Sequence, residues 1–111
     1  MALDLNKLTA INGFIAGGEF TDGGELVGKV GEMDDNIGAI VADMCSANMR
    51  MANMQAHGFT KFSKMKGFEK ANGFAISAAS LSLCVFGNAS VFVRNSDCDF
   101  NEVFAALRSL S

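Results

Sequence analysis

The chain has 111 residues, half of them hydrophobic, with nine basic and twelve acidic side chains for a net charge of −3. That length fits one ordinary domain, expected to span residues 1–111. The acidic balance argues against nucleic acid as the main partner. The apolar runs fall well short of the ~20 residues a membrane span needs. Met1-Ala2-Leu3-Asp4 also lacks the basic start and apolar run of a signal peptide. A cytoplasmic protein that does not use a membrane is therefore expected. The three cysteines, Cys45, Cys84 and Cys98, are odd in number and widely spaced, which fits reduced thiols in the cytosol.

Residues 3–11 space Leu5, Leu8 and Ile11 by three with Asp4 as a candidate cap, predicting a short amphipathic helix that stops at Asn12-Gly13. Residues 13–21 are apolar and β-prone, Asp22-Gly23-Gly24 supplies a turn, and residues 25–32 alternate, so a hairpin is expected. Residues 34–57 then predict a long helix capped by Asp34 or Asp35 and stopped at His57-Gly58. In residues 59–68, Phe59, Phe62 and Met65 recur at helical spacing and allow a short helix or turn. From Gly73 the period shortens. Strands are expected over 74–78, 81–86 and 90–94, separated by turns at Ala79-Ser80 and Gly87-Asn88. Asp99-Phe100-Asn101-Glu102 has the spacing of an acidic capping box, and Val103, Phe104, Leu107 and Leu110 follow as a helical stripe.

The long helix carries an unusual share of apolar surface. At ~100° per residue, Ile37, Ile40, Val41, Met44, Ala47, Met51 and Ala52 form one stripe, widened by Ala42, Cys45, Met49 and Ala56. Asn36, Asp43, Ser46, Arg50 and Asn53 occupy a narrow polar strip. A helix on one sheet needs an apolar face a little over ~100° wide. This one is about twice that, which implies a second packing partner. Asn48 and Gln55 interrupt the main stripe, so sheet contact is expected over 37–44. The later half is expected to meet another chain, with Cys45, Met49, Met51, Ala52, Met54 and Ala56 as interface candidates.

The element order α-β-β-α-β-β-β-α, with short turns between consecutive strands, favours a five-stranded antiparallel sheet. The long helix would cross one face and the terminal helices the other, giving an α/β/α sandwich of the α+β class. The helix before Gly13-Phe14-Ile15-Ala16, the turn Asp22-Gly23-Gly24-Glu25-Leu26, the small-residue helix after Asp34, the three-strand meander and the final helix together make the chain resemble the roadblock (dynein light chain) family. That resemblance implies a roadblock/profilin-like fold in which two copies pair edge to edge, with joined sheets and adjacent long helices. It also implies a non-enzymatic platform, such as a regulator or scaffold of small GTPases or a motor-complex adaptor. The Met-rich helix and the long 59–72 segment depart from the common pattern, and the family offers no catalytic set to carry over.

Other candidate sites read more simply. Gly23 to Lys29 matches the spacing GxxxxGK, but Val30 follows where a hydroxyl residue should bind Mg²⁺, so the stretch reads as a glycine-rich hairpin. Cys45, Met49, Met51, Met54, Met65 and His57 suggest a soft-metal or small-molecule sensor as the alternative function. Methionine nevertheless fills gaps and adaptable interfaces more often. His57, the single histidine, suits a helix end. Cys98 lies between Asp97 and Asp99, which disfavour a thiolate, beside a helix N-terminus, which favours one, and Cys84 reads as strand core. Glu19, Asp22, Glu25 and Glu32 read as surface charge around the hairpin. Lys61, Lys64, Lys66 and Lys70 form a solvated basic cluster able to steer an acidic partner. No catalytic residue, metal or cofactor is expected. The favoured reading is a homodimeric interaction module.

Overall fold

The computed structural model describes residues 3–64 and 66–110. A 3-10 helix, Leu5–Ala10, is followed by β1 (Phe14–Phe20), β2 (Leu26–Gly31), α1 (Asp35–Ser63), β3 (Gly73–Ser77), β4 (Leu81–Phe86), β5 (Ala89–Arg94) and α2 (Phe100–Arg108). The strands form one antiparallel sheet in the order β2-β1-β5-β4-β3. The expected α+β sandwich with its five-stranded sheet is therefore the observed fold.

Two apolar clusters lie on opposite faces of the sheet. Leu5, Leu8, Val103 and Leu107 of the terminal helices pack on Cys84, Ala89, Val91 and Val93. On the other face, Val41, Ala42 and Cys45 of α1 pack on Ala16, Phe20 and Val85, with Met33 beside them. Strand periodicity makes this division: Leu83 and Val85 face α1, whereas Cys84 between them faces α2. In β1, the register against β5 shifts between Phe14 and Ala16. Phe14 accordingly joins the first cluster, and both Ile15 and Ala16 join the second.

Several local expectations change. The first helix is 3-10 rather than α, and Asp4 makes no side-chain cap bond. Helix α1 does not stop at Gly58 but runs to Ser63, where Lys64 takes the left-handed conformation at φ 57°. A glycine inside a helix costs only about 1 kcal/mol, and Phe59 and Phe62 continue the period beyond it. At the other end, Asp34 accepts a 2.8 Å bond from the Ile37 amide. Asp34→Ala is expected to lower unfolding stability by about 1 kcal/mol in a denaturant titration. Asp99 caps α2 through the Asn101 amide at 2.8 Å, one position short of the bond a capping box would make.

Glu19 is not surface charge. It lies in β1, between two strands, and accepts a 2.9 Å bond from the Leu3 amide, which ties the start of the chain to the sheet. Asp22, Glu25 and Glu32 are exposed. Gly23 to Lys29 leads into β2 rather than a helix, and Lys29 pairs with Asp35 at 3.5 Å, so the stretch has no phosphate-loop geometry. Among the described residues, no helix is long and apolar enough to cross a membrane.

Candidate functional site

Helix α1 presents two apolar faces that differ in side-chain size. The sheet-facing one is built from Gly38, Val41, Ala42, Cys45, Ser46 and Ala56, all buried. Small residues let the helix approach closely: a Cβ added at Gly38 would stand 2.7 Å from Leu26 Cδ2. The large residues point away, with Ile37, Ile40, Met44 and Met51 all more than half exposed. This reverses part of the expected arrangement. Ile37, Ile40 and Met44, expected on the sheet, face outward, whereas Cys45 and Ala56, expected at a partner, pack within their own chain. Cys45 has no exposed surface. Apolar character alone could not separate the two faces; the spacing of the small residues was the usable signal.

The remaining interface candidates divide accordingly. Met49 is half-buried against the sheet cluster, and Ala52 is half-buried. Met51 and Met54 are exposed. The outward stripe continues with helical spacing through Asn48 and Gln55 to Phe59 and Phe62, the last 87% exposed. From Ile37 to Phe62 it extends for ~38 Å at about 1.5 Å per residue. Met65, the remaining member of the possible soft-metal set, lies outside the described residues.

Beside this stripe lies the open edge of the sheet. Among the described residues, strand β3 pairs only with β4, and its sequence, Gly73-Phe74-Ala75-Ile76-Ser77, carries no charge. A shallow groove of about 230 Å³ between helix and strand is lined by Asn48, Met51, Ala52, Gln55, Phe74 and Ile76. The opposite edge, β2, carries Lys29 and its ion pair to Asp35. Charged edges deter strand addition, whereas uncharged apolar ones invite it. The two edges thus differ in the property that governs pairing.

The thiols do not form a shared centre. Cys45 lies under α1, while Cys84 and Cys98 belong to the cluster on the other face of the sheet. Burial pushes the Cys45 thiol up to about 11. Burial first, and the neighbouring Cys98 second, does the same for Cys84. A raised folded-state value favours the neutral thiol, so this stabilisation is complete below the ordinary value of 9.0 and is lost as pH rises toward 11. Iodoacetamide at pH 8 is expected to alkylate Cys98, which is half-buried, while Cys45 and Cys84 react only after unfolding. The denaturation midpoint should fall between about pH 9 and pH 11. Mass spectrometry and urea titrations check the two outcomes. His57 is exposed on α1, and no group of three or more His, Cys, Asp or Glu side chains is placed to hold a metal among the described residues.

The family described as "Uncharacterized conserved protein (DUF2173)" matches residues 4–109. The chain belongs to that family. Its fold is also that of solved Roadblock/LC7 domains. A Roadblock/LC7 domain from Streptomyces avermitilis superposes with a TM-score of 0.72 at 10% identity, covering 95% of this chain and 85% of that one. MglB in a tetrameric arrangement gives 0.74 at 10% identity, with 96% and 78% covered. MglB from Myxococcus xanthus gives 0.65 at 12%, with 96% and 80% covered. At these identities the likeness concerns the fold. Comparison with curated proteins finds no match.

Proposed function

We propose that residues 1–111 act as one roadblock-like domain, a non-enzymatic homodimeric interaction module in the cytoplasm. The two copies join at β3 and lay their α1 helices side by side. The observation that carries this reading is the outward stripe Ile37, Ile40, Met44 and Met51 beside the uncharged edge of β3. Apolar surface of that extent, next to unpaired backbone groups, is stabilised by a second copy bearing the same patch. The tetrameric arrangement of an MglB structure lends support to self-association of this fold. A joined sheet with paired helices would offer a composite surface to a protein partner, and the resemblance to roadblock proteins favours a small GTPase. Lys61, Lys64, Lys66 and Lys70, exposed around the end of α1, would steer an acidic partner toward that surface.

The soft-metal sensor has weaker support, because Cys45 faces the sheet while Met51 and Met54 face outward. Multi-angle light scattering at micromolar concentration tests the leading reading. A mass twice that of the 11.7 kDa chain is expected, and a strict monomer would overturn it.

A further inference from the structure

At the end of the sheet beneath α1 lies a cavity of about 260 Å³, separate from the groove beside β3. Its walls come from four distant parts of the chain and are tied together by hydrogen bonds. Asn53 Oδ1 on α1 accepts from the Ala71 amide at 2.8 Å. The Gly87 amide, in the β4–β5 turn, donates to the Asn72 carbonyl at 2.8 Å. Asn88 Nδ2 donates to the Phe20 carbonyl at 2.8 Å and to Asp22 Oδ1 at 3.0 Å. The cavity is therefore built into the fold, a property of preformed ligand sites.

Its chemistry is lopsided. Phe20, Met49 and Phe86 supply apolar surface, and Arg50 and Lys70 supply two cations. Arg50 Nη1 donates to Ser46 Oγ at 2.9 Å, and Ser46 Oγ donates in turn to the Asp22 carbonyl at 2.7 Å, so the guanidinium is positioned by a fixed hydroxyl. That bond uses one of its five N–H groups. Among the described residues, no carboxylate lies within ion-pair distance of Arg50 or Lys70. The one acid in the lining, Asp22, is engaged by the Asn88 amide. Two cations and one acid leave a net positive lining beside an apolar floor.

We propose that this cavity binds a small organic anion, its carboxylate or phosphate held by Arg50 and Lys70 and its apolar body resting on Phe20, Met49 and Phe86. Guanidinium groups suit both anions through paired N–H donors. The volume lies below the roughly 300–1,000 Å³ of drug-sized sites, which limits the ligand to a small molecule. The Arg50 and Asn53 side chains come from the polar strip of α1. In sequence that strip reads as a solvated helix face, and only the packing of residues 70–72 and the β4–β5 turn against it creates a half-open pocket.

The test is an amide NMR titration of the full chain with phenyl phosphate, benzoate and benzylamine. One or both anions should produce saturable shifts centred on Ala71, Asn72, Gly87 and Asn88, and benzylamine should not. The stronger of the two anions assigns the head group as phosphate or carboxylate. Arg50→Gln and Lys70→Gln, both at exposed positions, should each weaken binding about tenfold or more without changing spectra elsewhere. The proposal is overturned if neither anion gives saturable shifts by about 10 mM. Equal binding of benzylamine, or unchanged affinity in both variants, would overturn it as well.

Discussion

Met51→Glu is expected to convert the proposed dimer into a folded monomer. Met51 lies midway along the outward stripe of α1 and lines the groove against Phe74 and Ile76 of β3. In the isolated protomer it is 54% exposed, so a carboxylate there stays hydrated and the fold is little affected. In the proposed dimer the same carboxylate would be buried against its symmetry mate, where an unpaired charge is strongly unfavourable. Each C2 interface contains the position twice. A central interface position of this kind is worth on the order of 2–4 kcal/mol, so the dissociation constant should rise by at least ~30-fold. Light scattering at micromolar concentration reads the mass, and thermal melting confirms that the fold persists. An unchanged dimer would remove this face from the interface. Met49→Glu is a poorer choice, because Met49 packs on the sheet cluster and its replacement would perturb folding itself.

The second large effect concerns folding alone. Gly31 ends β2 at φ +85°, a left-handed conformation that side chains rarely adopt. A Cβ there would also run into the Ile15 carbonyl oxygen, the Ala16 Cα at 2.9 Å and the Phe14 ring at 2.9 Å. The obstructing atoms include backbone of the neighbouring strand, which cannot swing aside. Strain and overpacking therefore add, and Gly31→Ala should cost about 3 kcal/mol or more. For a domain of this size that corresponds to a fall in Tm of roughly 10–20 °C. Gly58→Ala, where no atom of the described residues lies within 4 Å of the added methyl, is the control expected to leave Tm unchanged or raise it. A small effect at Gly31 would show that β1 and β2 can separate freely at that end.

Much of the fold was legible because strand periodicity and turn chemistry agreed. Leu81 to Phe86 is a short apolar run broken by Ser82 alone, Gly87-Asn88 supplies the turn, and β4 and the meander appear where expected. The rotation of α1 was not legible for a specific reason. Ile37, Ile40 and Met44 are large and apolar, and a wheel places such residues in the core. The sheet instead selects Gly38, Val41, Ala42 and Cys45, all smaller, because close helix–sheet approach is limited by volume. The burial of Glu19 depends on the sheet order, which no local pattern encodes: with β5 beside it, β1 becomes an interior strand and its carboxylate is enclosed. The cavity at Arg50 was equally hidden. Its members are separated by up to 68 positions, as in the Asn88–Phe20 bond, and no local pattern joins them.

The strand order also dictates when the sheet can exist. Strand β5, made from residues 89–94, lies between β1 and β4, so the N-terminal hairpin and the β3–β4 hairpin have no contact through the sheet until it arrives. During synthesis, the inner edge of β1 must wait without its partner while about seventy further residues emerge, several seconds at ordinary elongation rates. The chain contains no proline, so no prolyl isomerisation lengthens that wait. Completion of the sheet is a late, single insertion of the penultimate element, and any nascent chain ending before Arg94 has an unfilled slot at its centre.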